Sequence, residues 1–223
     1  RVLIDHLRRL ADEGRRAVCF FDGSLILSFA AQMRPELRGG YLGAIRTLLR
    51  ASETTRVPVV GYVDTSHARD LVNMLRWLSG AAAAPRISDA GLLAPLMRWG
   101  DRTEAFVCAR DDGLFPADGI GSGYYERVHF CYLKTTASNP PARLDLPAWL
   151  LEEGLLEWVV DVVRAECIVG TGYPYPVETA DAVAVIGIQD RERFYRIFQD
   201  FLADRVGLSL HYSPKSKSKR VRR

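Results

Sequence analysis

Two short apolar segments that each end in an aspartate constrain the fold of this chain more than any other feature. Residues 17–21 (AVCFF) lead into Asp22, and residues 57–63 (VPVVGYV) lead into Asp64. Each segment has the length and composition of a buried strand, and a predicted helix lies between them. If the two strands are parallel neighbours, both carboxylates emerge at one edge of the sheet, where α/β proteins place ligand sites.

The other hydrophobic patterns predict an α/β domain in which helices flank a mixed β-sheet. The apolar runs 17–22 and 25–31, separated by the turn sequence DGS, predict a β-hairpin. Further strands are predicted over residues 57–64, 104–109 and 127–135, and helices over 1–14, 39–52, 65–80, the start of 88–100, 147–166, 176–188 and 190–206. Ser66 is the expected N-cap of the helix over 65–80, and the Pro-rich stretch 138–147 is interpreted as a connection.

The positive charge of the chain is concentrated at its C-terminal end. The formal net charge is +3, but residues 215–223 (KSKSKRVRR) contain six basic groups and no acid, so the remainder is slightly acidic. We predict one domain over residues 1–212 and a basic, disordered tail over 213–223 that binds a polyanion or only aids solubility. The four cysteines are widely spaced, and no apolar run reaches roughly 18 residues, which predicts a cytoplasmic protein without a membrane span.

Carboxylates crowded at one edge of a sheet require a counter-charge. Two ionised carboxylates about 4 Å apart repel by about 4 kcal/mol at an effective dielectric constant of about 20. A divalent cation between them converts that repulsion into binding energy, and hard oxygen ligands suit Mg²⁺ or Mn²⁺. The alternative for Asp22 is a plain turn residue, because Asp-Gly sequences are common in hairpins.

Five pieces of the sequence occur in the order found in the NurA nuclease family. They are FFDGSLILSF, VVGYVDTSHARDLVNML, ISDAGLLAPLM with GDRTEAF, VHFCYLKT followed by ARLDLPAW, and GYPYPVETADAVAVI. The chain resembles this family over residues 17–190. The resemblance implies an RNase H-like fold and a nuclease that depends on Mn²⁺ or Mg²⁺, with two ions, and that degrades DNA ends as a 5′–3′ exonuclease and endonuclease. It also implies a homodimer that works with a HerA-type hexameric ATPase.

The resemblance further implies the residues of the active site. Asp22 matches the first-strand metal ligand of the family, and Asp89 in SDAGLL matches a later metal-binding aspartate. The middle acid is Asp64 by its position at a strand end, or Asp70 by its spacing to Asp89, and we favour Asp64. Tyr132 resembles the active-site tyrosine, which would orient the scissile phosphate or stack on a base.

Two departures from the family pattern affect the expected chemistry. The family usually has a histidine after its GYP loop, where this chain has Asp181, and a glutamate where it has Asp145. Aspartate can bind a hard metal, but it is not a proton donor at neutral pH unless its pKa is raised.

Lys134 and Arg102 are the expected phosphate contacts, with a surface salt bridge as the alternative for Arg102. The expected metal-binding and catalytic carboxylates are Asp22, Asp64, Asp89 and Asp181, which would hold two cations that activate water and stabilise the charge on the phosphate.

Two other functions remain open. The aspartate at position 181 also fits a degenerate NurA-like subunit that binds DNA and an ATPase without cutting. A phosphatase with an aspartyl nucleophile normally has a second acid two residues after the first, and Ser24 occupies that position here, which argues against this class.

Apolar helix faces complete the predictions. The four tryptophans, Trp77 among them, lie on such faces and are interpreted as core or interface residues rather than platforms for base stacking. The apolar stripe of the helix over 147–166 fits a dimer interface and burial within one subunit equally well.

Overall fold

The computed structural model describes residues 1–82, 86–108, 110, 124, 127–185 and 187–206. The chain divides into two compact units, Arg1–Thr179 and Ala180–Arg223, and the sheet belongs to the first. The predicted domain end at residue 212 and the predicted basic tail lie outside the described residues. No helix in the described part of the chain is both long and apolar enough to cross a membrane.

Five strands form one mixed sheet in the described part of the first unit. In chain order they are β1 (Cys19–Asp22), β2 (Val59–Val63), β3 (Phe106–Val107), β4 (Val128–Leu133) and β5 (Ala142–Pro147). Their spatial order is β1-β2-β5-β4-β3, in which β1 and β2 are parallel and the other neighbours are antiparallel. The structure therefore has the predicted mixed sheet of an α/β fold.

The helices lie before, between and after these strands. They are α1 (Val2–Asp12), α2 (Pro35–Thr55), α3 (Asp70–Ser79), α4 (Asp89–Leu93), α5 (Trp149–Glu152), α6 (Leu156–Val169), α7 (Tyr175–Val183) and α8 (Ile188–Val206), with a 3₁₀ helix over Ser28–Gln32. The helices predicted at the N-terminus and over 39–52 are confirmed, although α2 begins earlier, at a proline that suits the first position of a helix.

Strand residues alternate between two buried faces. The first face packs against α1 and α2, with buried residues such as Leu7, Leu48 and Phe130. The second face packs against α6, with residues such as Tyr62 and Val160. The apolar stripe of α6 is thus buried within the chain, which explains it without a dimer interface.

The predicted hairpin after residue 17 is wrong. Only Cys19–Asp22 forms a strand, and its neighbour is the parallel strand β2, with Cys19 opposite Val59 and Asp22 opposite Tyr62. Residues 25–27 are buried in the core of the first face, and a 3₁₀ turn follows at Ser28. Gly23, at φ +118°, lets the chain turn into this core instead of returning along β1.

The stretch 138–147, predicted to be a connection, contains a central strand. β5 lies between β2 and β4, and all six of its residues are buried. Its apolar residues Ala142, Leu144 and Leu146 belong to the second face. Arg143 and Asp145 occupy the alternate positions on the opposite face of the strand. They concealed the strand, because charged residues at positions i and i+2 rarely face a core unless they are paired.

Two predicted helix boundaries also differ. The long helix predicted over 147–166 is two helices, α5 and α6, separated at Gly154, which has φ +68°. The helix predicted from residue 65 begins at Asp70, and Ser66 accepts a hydrogen bond from the Ala68 N–H instead of capping the helix.

Candidate functional site

Asp22 and Asp64 form a pair of exposed acids at the carboxyl ends of two parallel neighbours, β1 and β2. We call them the strand-end pair. The Tyr173 hydroxyl donates to Asp22 Oδ1 at 3.1 Å, and the Tyr173 ring packs edge-on against Tyr62, with ring centroids 5.1 Å apart. The Thr65 hydroxyl donates to Asp64 Oδ2 at 3.2 Å. No described lysine, arginine or histidine forms an ion pair with either acid.

Asp89 lies in a different environment, because it is fully buried and caps a helix. Its two carboxylate oxygens accept from the backbone N–H groups of Leu71 (3.1 Å) and Val72 (2.9 Å) in the first turn of α3. These groups have no partner within the helix, and the residue before the helix provides no side-chain cap. The Tyr132 hydroxyl also donates to Asp89, at 3.0 Å. Asp89 therefore makes three hydrogen bonds that fix the start of α3 against β4.

Arg143 is the centre of a second group of charged residues, which lies on the first face of the sheet. We call Arg143, Asp70, Asp145 and Arg110 the arginine cluster. The Arg143 side chain is only 2% exposed; its Nε donates to Asp145 Oδ1 at 2.7 Å and its Nη1 to Asp70 Oδ2 at 2.5 Å. Arg110 donates to both oxygens of Asp70, at 2.9 and 2.7 Å. Each acid of the cluster thus has an arginine partner.

The second carboxylate oxygen of Asp145 holds the turn after β1. Asp145 Oδ2 accepts from the Ser24 hydroxyl at 2.5 Å and from the Leu25 N–H at 3.1 Å. The acid found where the family has a glutamate is therefore a structural acceptor that connects β5 to the DGS turn. This connection places the arginine cluster directly behind the turn that follows Asp22.

The electrostatics of the arginine cluster follow from burial and ion pairing. Burial alone would raise the pKa of Asp70, but hydrogen bonds and charge from Arg110 and Arg143 outweigh it and lower that pKa. Burial alone would lower the pKa of Arg143, but Asp145 and Asp70 raise it well above its ordinary value. Both groups are therefore held in their charged forms.

The other predicted residues are occupied by contacts within the protein. Tyr132 is fully buried, and its burial raises the pKa of its hydroxyl. Lys134 is also buried, and its Nζ donates to the Asn139 carbonyl oxygen at 2.6 Å. Arg102 forms an ion pair with Glu157, which is the alternative that the sequence left open for it. Asp181 lies on α7 in the second unit.

The described residues do not assemble the predicted set of four metal-binding carboxylates. Within that part of the chain, no three His, Cys, Asp or Glu side chains are grouped so as to hold a metal ion. The strand-end pair fits a hard cation, since both carboxylates are exposed and neither forms an ion pair with a described cationic side chain. Asp89 does not fit in this arrangement, because its oxygens already accept three hydrogen bonds in a site without solvent access. Asp70 directly precedes Leu71, whose N–H Asp89 accepts, but two arginines neutralise Asp70.

The structural roles of Arg143 and Asp145 were not predicted from the sequence. The signal was present in ARLDLP, where apolar residues at every second position predict a strand with Arg143 and Asp145 on its opposite face. A charged pair at positions i and i+2 of a buried strand indicates that the two side chains neutralise each other.

Comparison with known proteins identifies the family. The family model for the NurA domain matches residues 3–186, most of the chain. The chain belongs to the NurA domain family. The crystal structure of the NurA nuclease from Sulfolobus solfataricus is similar, with a TM-score of 0.53 and 14% sequence identity.

The likeness to the NurA structure is one of fold. It covers 95% of this chain, and the chain spans 66% of the length of that one. A search of curated protein sequences found no match. The mixed α/β fold expected from the resemblance to NurA proteins is thereby confirmed, as is the family itself.

Proposed function

We propose that this NurA-family protein is a metal-dependent DNA nuclease whose strand-end pair, Asp22 and Asp64, is the metal-binding part of its active site. The observation that carries this proposal is the parallel pairing of β1 and β2, each of which ends in an exposed carboxylate without a described cationic partner. A soluble domain gains nothing in stability from two like charges at adjacent strand ends. Such a pair is favourable when it binds a cation.

A divalent cation, Mn²⁺ or Mg²⁺, would be held by Asp22 and Asp64, and when bound it would stabilise the negative charge that develops on a scissile phosphate. Tyr173 orients Asp22 through its hydroxyl, and Thr65 orients Asp64. Asp145 fixes the DGS turn and thereby the end of β1. In this structure, Asp89 and Tyr132 are joined by a hydrogen bond and hold the start of α3 in place.

The resemblance to the NurA family supports the finer parts of the proposal. We propose two cations, with Asp89 and Asp181 as further ligands once Asp89 exchanges its hydrogen bonds for a metal bond. Lys134 and Arg102 would contact DNA only after leaving Asn139 and Glu157. We also propose action on DNA ends, 5′–3′ exonuclease and endonuclease cleavage, a homodimer, a HerA-type ATPase partner and a cytoplasmic location.

A second candidate function rests on the arginine cluster. Asp70 and Asp145 already have guanidinium partners, and Asp89 accepts three hydrogen bonds. Arginine side chains of the protein itself therefore neutralise two of the acids that could otherwise bind a metal ion. This arrangement fits a NurA-like subunit that binds DNA and its ATPase without cleaving DNA.

One experiment separates the two functions. Purified full-length protein is incubated with linear DNA and Mn²⁺, and degradation is followed by gel electrophoresis. The nuclease proposal predicts that Asp22→Asn lowers the rate at least about a hundredfold, since it removes one of the few metal ligands, while Asp12→Asn, an exposed acid at the end of α1, leaves it unchanged. Wild-type protein that binds DNA but degrades none with Mn²⁺ or Mg²⁺ would support the degenerate subunit instead.

A further inference from the structure

A groove of about 910 Å³ opens beside the arginine cluster, on the first face of the sheet. Its lining combines cationic, hydroxyl and apolar side chains: Arg69, Arg110, Arg143, Ser28, Trp77 and Met74 are among them. This volume is in the range of sites that hold a small organic ligand. Neither Asp22 nor Asp64 is among the lining residues, but Ser24 and Val63 are, so the groove adjoins the strand-end pair.

Arg143 provides a buried donor for which the described part of the chain offers no acceptor. Its Nε and Nη1 are used by Asp145 and Asp70, but Nη2 is buried and has no hydrogen-bond partner among the described residues. A buried N–H without an acceptor costs about 1–3 kcal/mol, so native proteins rarely retain one without a reason. An anionic oxygen at the base of the groove would satisfy it.

Arg110 and Ser28 extend this donor site toward solvent. The Arg110 Nη1 donates to the Ser28 hydroxyl oxygen, which leaves the hydroxyl hydrogen of Ser28 available to a ligand. Among the lining residues, three arginines face one aspartate, Asp70. The buried acids behind the groove are compensated, Asp145 by Arg143 and Asp89 by the positive N-terminus of α3.

The outer part of the groove is apolar and aromatic. Trp77 on α3 is 82% exposed, so of the two places expected for it, core or interface, it does not occupy the core. Met74 lies one turn before it on the same helix. An exposed indole beside an anion site is the combination that single-stranded nucleic acids use, because an unpaired base stacks on the ring while the backbone meets cations. A base inside a duplex has both faces covered and cannot stack there.

We propose that this groove binds one nucleotide unit of a single DNA strand, with its phosphate at Arg143, Arg110 and Ser28 and its base on Trp77. The inference rests on the proposed function for the choice of DNA as the ligand. It adds a site for the phosphate and the unpaired base, formed by named side chains, that does not require the metal.

The test measures binding in EDTA, so that no cleavage and no metal binding contribute. Fluorescence anisotropy with a labelled single-stranded oligonucleotide compares wild type, Trp77→Ala and Arg110→Gln with the controls Trp99→Ala and Arg8→Gln. Trp99 is another exposed tryptophan, and Arg8 belongs to a surface ion pair on α1. The basic C-terminal residues are common to all variants, so differences between variants report on the groove.

Trp77→Ala should weaken binding of the single strand about fivefold or more and change binding of a blunt duplex little. Arg110→Gln should lower the slope of log affinity against log salt by about one, as expected for a lost phosphate contact. Equal affinities for Trp77→Ala and Trp99→Ala would overturn the proposal. So would full displacement of the oligonucleotide by inorganic phosphate at the concentration of the probe, which would indicate a simple anion site.

The Asp22→Asn variant separates a failure of this inference from a failure of the proposed function. If the groove inference holds, Asp22→Asn in EDTA binds the single strand at least as tightly as wild type, whatever its nuclease activity, because the groove donors remain and one negative charge is lost. Trp77-dependent binding together with a nuclease rate that Asp22→Asn leaves unchanged would refute the active-site assignment and leave the groove intact.

Discussion

The strand-end pair and the arginine cluster contain the same kind of residue in opposite electrostatic states. Asp22 and Asp64 are exposed and have only hydroxyl donors as described partners. Asp70 and Asp145 are largely or fully removed from solvent and are paired with arginines. The two regions are connected by the Ser24–Asp145 hydrogen bond.

The difference shows that the presence or absence of a counter-charge decides the role of an acid in this fold. A buried carboxylate is stable only when a paired cation and hydrogen bonds replace its hydration. An exposed carboxylate keeps its hydration and stays available to a metal. The arginine cluster therefore contributes to the stability of the fold, and the strand-end pair to what we propose is its chemistry.

Breaking the arginine cluster should have the largest effect on stability. Arg143→Met leaves Asp70 and Asp145 buried without their shared partner, which should cost about 3–5 kcal/mol of unfolding free energy. Arg8→Met removes an exposed ion pair on α1 and should cost less than about 0.5 kcal/mol. Urea denaturation followed by circular dichroism compares the two. Similar losses in both variants would remove the distinction between the regions.

Metal binding should stabilise the protein, and this stabilisation should require the strand-end pair. A divalent cation at about a hundred times its dissociation constant should add about 2.7 kcal/mol to the unfolding free energy. Differential scanning fluorimetry with Mn²⁺ should show this stabilisation in wild type and in Asp101→Asn, an exposed-acid control, but not in Asp22→Asn. A full Mn²⁺ response in Asp22→Asn would place the metal elsewhere.

The acid dependence of stability should report on Asp70. Because the pKa of Asp70 is lower in the folded protein than its ordinary value, its contribution is complete above that ordinary value and is lost as the pH falls through the folded pKa. Wild type should therefore lose more stability than Asp70→Asn on going from pH 5 to below about pH 3. Denaturation midpoints across this range provide the measurement. Parallel pH profiles would contradict the ion pairing of Asp70 with Arg110 and Arg143.

Neutralising the strand-end pair should have the smallest effect on folding. The double substitution Asp22→Asn with Asp64→Asn should change the unfolding free energy by no more than about 0.5 kcal/mol, since neither acid forms an ion pair with the residues that the structure describes. A loss of several kcal/mol in metal-free buffer would show that these acids are structural after all.

The sequence predicted the outline of the fold better than the contents of its site. Strands β2 and β4 and helices α1 and α2 were visible because their apolar residues repeat at strand or helix spacing. The strand β5 was missed because charged residues occupy one of its faces, and the hairpin was predicted wrongly because two apolar runs around a DGS turn are also its pattern. A local hydrophobic pattern does not indicate which strands will be neighbours in the sheet.

The sequence by itself determined that two apolar strands end in Asp22 and Asp64, since hydrophobic length and an acid at its end are local properties. Only the tertiary structure decided which aspartates receive a counter-charge. Arg143 meets Asp70 across 73 residues, and Ser24 meets Asp145 across 121, because β5 pairs between β2 and β4. Ion pairing depends on distance in space, and strand order, which no local pattern encodes, sets that distance.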